Sequence, residues 1–430
     1  MATWMDLEKK IGKPAADAVK KLYAYYGTDW VKWMANLYDG ETGMFYYANS
    51  ARDYDTVTYE KSGVTYTVDL RPDCESTIQA LDMLEELGLF RSFDNDWSRA
   101  LPKAMRERCL GFIQNMQDPD DGYFYHKQWG NKISDARRGR DLNSCLGLIK
   151  LLGGKPLYKT AIERLEEQTA NKEKVVEETS TIPEHLRSEE ALRKYIDHIY
   201  KACGNFHDAG HILSSQTSQI KAAGLAEACM SYIDTFQSSE TGYWDEGREH
   251  EYNKISAIIK LGGLYSGLGG RMKYMDKIID SAIDTILSKR VPNNICFVFN
   301  SIGGLGSAVA TVEKTSDPTA TDCTNIDVVM QKVYDRLPEM IDATIEKLEL
   351  FKHPDGSYSF HADGTSLIDN QGVFASRGYN EGDINGTTVA IFYILYSLFP
   401  LLRAQRLPLL NEESYKEFIE IIKGKMSEAK

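Results

Sequence analysis

Apolar residues recur along this chain at intervals of three and four. Ile78, Leu81, Leu84 and Leu87 form one stripe, and Leu142, Cys145, Leu146, Ile149 and Leu152 form another, stopped by Gly153, Gly154 and Pro156. Ile255, Ile258, Ile259 and Gly262 run into a glycine-rich stretch, and Thr388, Ile391, Leu395 and Leu398 close at Pro400. This spacing predicts core-facing helices. Residues 97–117, 157–172, 184–202, 218–236, 270–289 and 327–351 keep the helical period but carry more charge, as an outer, solvated layer would. Residues 54–70 instead alternate β-formers about Ser62 and Gly63, which predicts a small β-hairpin. An amphipathic stretch at 411–428 predicts a helix docked on the body or on a second subunit, so a homo-oligomer is one expectation.

A turn phrase returns four times among these helices. It reads Asp39-Gly-Glu-Thr-Gly-Met-Phe45, Asp118-Pro-Asp-Asp-Gly-Tyr-Phe124, Gln237-Ser-Ser-Glu-Thr-Gly-Tyr-Trp244 and His353-Pro-Asp-Gly-Ser-Tyr358. A repeated helical hairpin cannot bury its apolar face alone, so its copies must stack on one another. The expected fold is all-α, an (α/α)6-type toroid with one hairpin insertion, forming a single domain over residues 1–430. Five or seven hairpins would fit the length nearly as well as six, at roughly 70 residues for each of six.

Fifty basic against sixty-three acidic residues give a net charge of −13, which argues against sequence-independent binding to nucleic acid or anionic lipid. The seven cysteines are scattered without a Cys-x-x-Cys pair and read as buried free thiols. The first residues lack a signal pattern and no eighteen apolar residues run uninterrupted, so a cytoplasmic protein without a membrane partner is expected. No cofactor is implied.

In a ring of hairpins every turn and every inner-helix start would open on one rim. The candidates are then Arg52, Asp53, Asp73 and Glu75 from the first copy, and Tyr125, His126, Arg137, Arg138, Arg140, Asp141 and Asn143 from the second. Trp244, His250, Tyr252 and Asn253 come from the third, and Glu381, Asp383 and Asn385 from the fourth. Helix capping accounts for Asp73, Asp141 and Asp383 equally well. Tyrosines in the turns, Tyr47 and Tyr125 among them, offer flat faces to a sugar, or pack between turns. Arg137, Arg138 and Arg140 could clamp a substrate carboxylate, or pair with Asp135 and Asp141.

The stretches Gly43-Met-Phe-Tyr-Tyr-Ala-Asn-Ser-Ala-Arg52-Asp53 and Arg71-Pro-Asp73-Cys-Glu75-Ser-Thr77 resemble bacterial members of the (α/α) toroid carbohydrate-active enzymes, β-glucuronidase-like hydrolases included. That group holds both glycoside hydrolases and polysaccharide lyases. The resemblance implies an oligosaccharide substrate that contains uronic acid. Hydrolysis needs a protonated and an ionised carboxyl, drawn from Asp73 or Glu75 against Asp141 or Asp383, with inversion as the expected outcome. Elimination would need a Tyr or His base, and His207 and His211 form the densest histidine cluster. The same pair could ligate a metal, but no third ligand lies nearby in the sequence, and none is expected. A toroid that only binds glycans would show the same pattern. The Gln237–Trp244 turn also resembles a motif of triterpene cyclases, yet acidic residues recur in the other copies for turn chemistry and the chain is short for a two-domain cyclase. Prenyltransferase-like toroids need zinc ligands in set contexts, and no cysteine here has a His neighbour.

Overall fold

The computed structural model describes residues 3–54, 56–61, 64–164, 184–244, 250–366 and 372–429. These residues are mostly helical, with one two-stranded antiparallel sheet. They form two compact units, each assembled from three separate stretches of chain.

The first unit comprises Met1–Tyr25, Ser180–Glu349 and Tyr393–Leu407. Its helix Phe206–Ser214 packs on Glu251–Leu268, which packs on Ile295–Lys314, which in turn meets Ile394–Leu401. The glycine-rich runs serve this close packing. A Cβ on Gly304 would fall 2.6 Å from the Ile255 side chain, and one on Gly262 would fall 3.0 Å from Ser307. The more polar helices Met275–Leu287 and Ile326–Leu348 bury one face each against Ile295–Lys314. Lys347 is buried where Met275–Leu287 ends and donates to the carbonyls of Thr285 and Ile286, where a cation is favoured. Burial pulls its pKa down to about 8. The helices Ile295–Lys314 and Ile384–Leu401 are long and apolar enough to cross a membrane, and 56% and 67% of those stretches are buried inside the folded chain.

The second unit comprises Tyr26–Thr179, Leu350–Phe392 and Pro408–Lys430. Here Cys74–Glu86 packs on Asp135–Leu151 and on the short helix Ile384–Thr387. The C-terminal helix Glu412–Glu428 docks on Asp29–Asn36, as its amphipathic pattern predicts. Local breaks refine the sequence expectations. The 97–117 stretch divides at Leu101 and Pro102 into Trp97–Ala100 and Lys103–Gln114, because proline donates no amide to the preceding turn. The 218–236 stretch divides at Gly224, whose φ is +74°. Thr388–Tyr393 is π-helical, and Pro400 lies within Ile394–Leu401. Of the predicted 157–172 helix, residues 165–172 lie outside the described residues.

The four turn phrases share one backbone design. The amides of Asp39, Asp118 and Ser238 donate to Met44, Tyr123 and Tyr243, and Gly43, Gly122 and Gly242 donate back across each turn. The fourth turn is one residue shorter, running from His353 to Ser357 with Gly356 in the glycine position. All four glycines have φ between 73° and 83°. Each also presses on backbone of another helical segment. A Cβ on Gly43 would meet the Cys109 amide at 2.6 Å, and one on Gly356 would meet that of Trp30 at 2.7 Å.

The predicted hairpin is present as β1 (Thr56–Lys61) and β2 (Val64–Asp69), with Tyr59 opposite Tyr66 and Val57 opposite Val68. Its expected turn residues, Ser62 and Gly63, lie outside the described residues. Val57 and Val68 anchor it on Ala51 and Leu70.

Candidate active site

Two aspartates begin helices in the second unit by the same device. Asp73 caps Cys74–Glu86 and Asp383 caps Ile384–Thr387. The Asp73 amide donates to Phe45 and that of Asp383 to Tyr358, the last residues of the first and fourth turn phrases. Thr77 Oγ1 accepts from the Phe45 amide at 2.9 Å, and Thr387 Oγ1 from the Tyr358 amide at 3.0 Å. The shared pattern is Asp-x-x-Ser/Gly-Thr, legible as Asp73-Cys-Glu-Ser-Thr77 and Asp383-Ile-Asn-Gly-Thr387. It is the sequence signal that ties each inner helix to its turn, and the turn phrases alone do not disclose it.

The two carboxyls differ in what surrounds them. Asp383 is completely buried and accepts from the amides of Gly386 and Phe360 and from the Tyr47 side chain. These donors hold Asp383 as the cap of its helix and engage the Tyr47 hydroxyl with it. Asp73 accepts from Ser76 at both oxygens, the amide at 2.8 Å and the hydroxyl at 2.7 Å. Burial pushes the Asp73 carboxyl up to about 7, against the opposing pull of Arg137.

Arg137 organises the neighbouring charges. It rises from Asp135–Leu151, is 1% exposed, and pairs with Glu75 at 2.8 Å and with Asp141 at 2.5 Å. Arg140, half exposed, reaches Glu75 as well. Asp141 also accepts from Trp129 Nε1 at 3.0 Å, and burial raises its pKa against the effect of Arg137. The Trp129 ring stacks on His126 at 4.1 Å and has the Arg137 guanidinium 4.9 Å from its centre. Of the charges singled out in sequence, Arg137 thus pairs with Asp141, and Glu75 joins Arg137 and Arg140 from the facing helix.

Arg137 and Trp129 of this network line a hollow of about 300 Å³, and Asp73, Glu75 and Asp141 lie behind them, outside its lining. Tyr59 of β1, Trp129 and Phe374 give it aromatic walls, and Gln128, Lys132, Ser134 and Arg137 give it polar groups. Gln128 ties its margin together, accepting from the Arg71 amide at 3.0 Å and donating to the Phe374 carbonyl at 2.7 Å. Tyr59, Trp129, Lys132 and Phe374 were not singled out in the sequence. The alternation 57, 59, 66, 68 could have marked Tyr59, but nothing local marks Phe374.

The remaining candidates are more dispersed in role. His126 is buried, with Nε2 3.0 Å from the Pro72 carbonyl and Nδ1 accepting from the Gln128 amide, and burial pulls its pKa down to about 4. Both ring nitrogens are therefore occupied by backbone. Arg52 pairs with Asp53 and donates to the Asn36 carbonyl. The Tyr125 hydroxyl donates to Asp121 at 2.6 Å, Arg138 lies over the Tyr123 ring, and Asn385 is half-buried in the Ile384–Thr387 helix. His207, His211, Trp244 and His250 belong to the first unit. His207 meets Asp208 at 3.1 Å and His211 is exposed on the same helix. Trp244 is fully buried with Nε1 donating to Ile233, so its ring is core and presents no face to a substrate. His250 packs edge-on against Tyr252 and Phe297. Among the described residues, no group of three or more His, Cys, Asp and Glu side chains is placed to hold a metal ion.

No protein-family model matches the chain, and no curated protein matches it in sequence. Among solved structures, a glycoside hydrolase family 15 glucoamylase from Hypocrea jecorina is similar over 93% of this chain and 74% of its own, at 12% identity and a TM-score of 0.37.

Proposed function

We propose that the chain is an (α/α) toroid glycoside hydrolase acting on oligosaccharides that contain uronic acid, with the hollow of the second unit as its sugar site and Asp73 and Glu75, behind Arg137, as its carboxyls. The observation that carries this reading is the pair Asp73 and Glu75. They stand two residues apart at the start of one helix, the first held near neutrality by burial and the second ion-paired to Arg137 and Arg140. Such a pair supplies the unlike carboxyls that glycoside hydrolysis requires.

In this mechanism a pyranose ring enters between Tyr59, Trp129 and Phe374, whose faces suit its C–H surface. Lys132 and Arg137 supply positive charge for the uronate carboxylate. Asp73 gives its proton to the glycosidic oxygen as the bond to the anomeric carbon breaks. Glu75 takes a proton from the water that attacks that carbon, giving inversion. Asp141 positions Arg137 and Trp129 and does not meet the substrate.

The test is incubation with a panel of uronate-containing oligosaccharides, read by mass and by ultraviolet absorbance. Cleavage with uptake of one water per bond is expected, and Asp73→Asn and Glu75→Gln should each lower turnover by at least about a hundredfold. Near-normal turnover in both variants overturns the assignment. A product with a new ultraviolet chromophore would replace hydrolysis by elimination.

A further inference from the structure

Residues 57–60 and 65–68 of the hairpin sort by face. Thr58, Glu60, Thr65 and Thr67 point to solvent on one side, while Val57, Tyr59, Tyr66 and Val68 share the other. The valine pair nearest the body fixes the hairpin to the core, and this fixing would be served as well by further small β-formers outward. Instead the next pair outward is Tyr59 and Tyr66, stacked at 5.2 Å with 18° between their planes. Phe374 lies against Tyr59 at 4.2 Å, and both line the hollow. Tyr66 does not line it and stays 42% exposed. Three rings therefore run in sequence from the hollow to open solvent.

We infer that Tyr66, with Tyr59 behind it, forms an outer sugar-binding subsite, so that this protein takes saccharide chains longer than a disaccharide. A pyranose unit lying beyond the hollow finds an aromatic face for its C–H surface and a phenol hydroxyl for its own hydroxyls. A hairpin of two short strands is marginal by itself, and the outer face of Tyr66, which nothing in the hairpin covers, would be covered by a ligand lying on it. The inference rests on the glycan reading of the hollow, but it concerns binding and not the proton transfers.

The experiment compares the wild-type protein with Tyr66→Ala and Tyr66→Phe on uronate-containing and neutral oligosaccharides of two to six units. Tyr66→Ala should lose about fivefold in kcat/KM on the longer chains, through KM, and less than about twofold on disaccharides, since one stacking contact contributes roughly 1 kcal/mol. Tyr66→Phe should keep most of the length dependence. Equal behaviour of Tyr66→Ala and wild type at every length overturns the subsite. If the wild-type protein cleaves none of these chains, the hydrolase reading fails by itself, and titration of the six-unit chains decides the subsite. Weaker binding by Tyr66→Ala retains it, and equal or absent binding overturns it. Melting curves of the variants establish that they fold.

Discussion

Asp73 and Asp383 are the same residue in the same local motif, and the difference between them is entirely environmental. Asp383 sits among the amides of Gly386 and Phe360 and the Tyr47 hydroxyl, whereas Asp73 has Ser76 on one side and Arg137 and Glu75 within electrostatic reach. The consequence for stability has a definite sign. Free in the unfolded chain, the Asp73 carboxyl ionises near 3.8, but folded it holds its proton up to about 7. Between those values only the folded state keeps the proton, so its contribution to stability is complete below the lower value and is lost as pH rises through the upper one. Chemical denaturation at about pH 5 and pH 8 should show wild type losing more stability than Asp73→Asn across that interval. The reverse order would mean that Asp73 is ionised in the folded protein at neutral pH. In the proposed mechanism the same proton goes to the leaving oxygen, so turnover should fall as pH rises through about 7.

At the scale of elements, the four turns explain why glycine stands where it does. Gly43 has a φ of +79°, and a Cβ there would also strike the backbone of Lys103–Gln114. Gly111, inside that same helix, would meet nothing within 4 Å. Gly43→Ala should therefore cost at least about 2 kcal/mol, combining left-handed strain with overlap, while Gly111→Ala should gain about 0.5 to 1 kcal/mol. Melting temperatures check both, and a mild Gly43→Ala would show that the turn does not bear on its neighbouring helix. The hydrophobic stripes at 78–87, 142–152 and 255–262 located helices in the sequence because an amphipathic period of 3.6 leaves its mark in a single segment. The alternation at 54–70 located the hairpin for the matching reason, with a period of two. Helix divisions at Pro102 and Gly224 were also present as letters, and were overridden by the longer apolar period around them.

At the scale of the whole molecule, the net charge of −13 leaves no general attraction to phosphate backbones. At about 0.15 M salt the protein should not retard a DNA duplex at micromolar concentration, and retention there would show a basic surface that the summed charge conceals. The sequence by itself determined the helices, the hairpin, the turn design and the carboxylates at the head of Cys74–Glu86, because each is written in neighbouring residues. Only the tertiary structure decided which charges meet. Arg137 reaches Glu75 across 62 positions, Gln128 reaches Phe374 across 246, and Asp73 and Asp383, caps of two helices, are buried beside different neighbours. Burial and electrostatic coupling depend on distance in space, and residues far apart along the chain carry no local mark of the partners that folding brings to them.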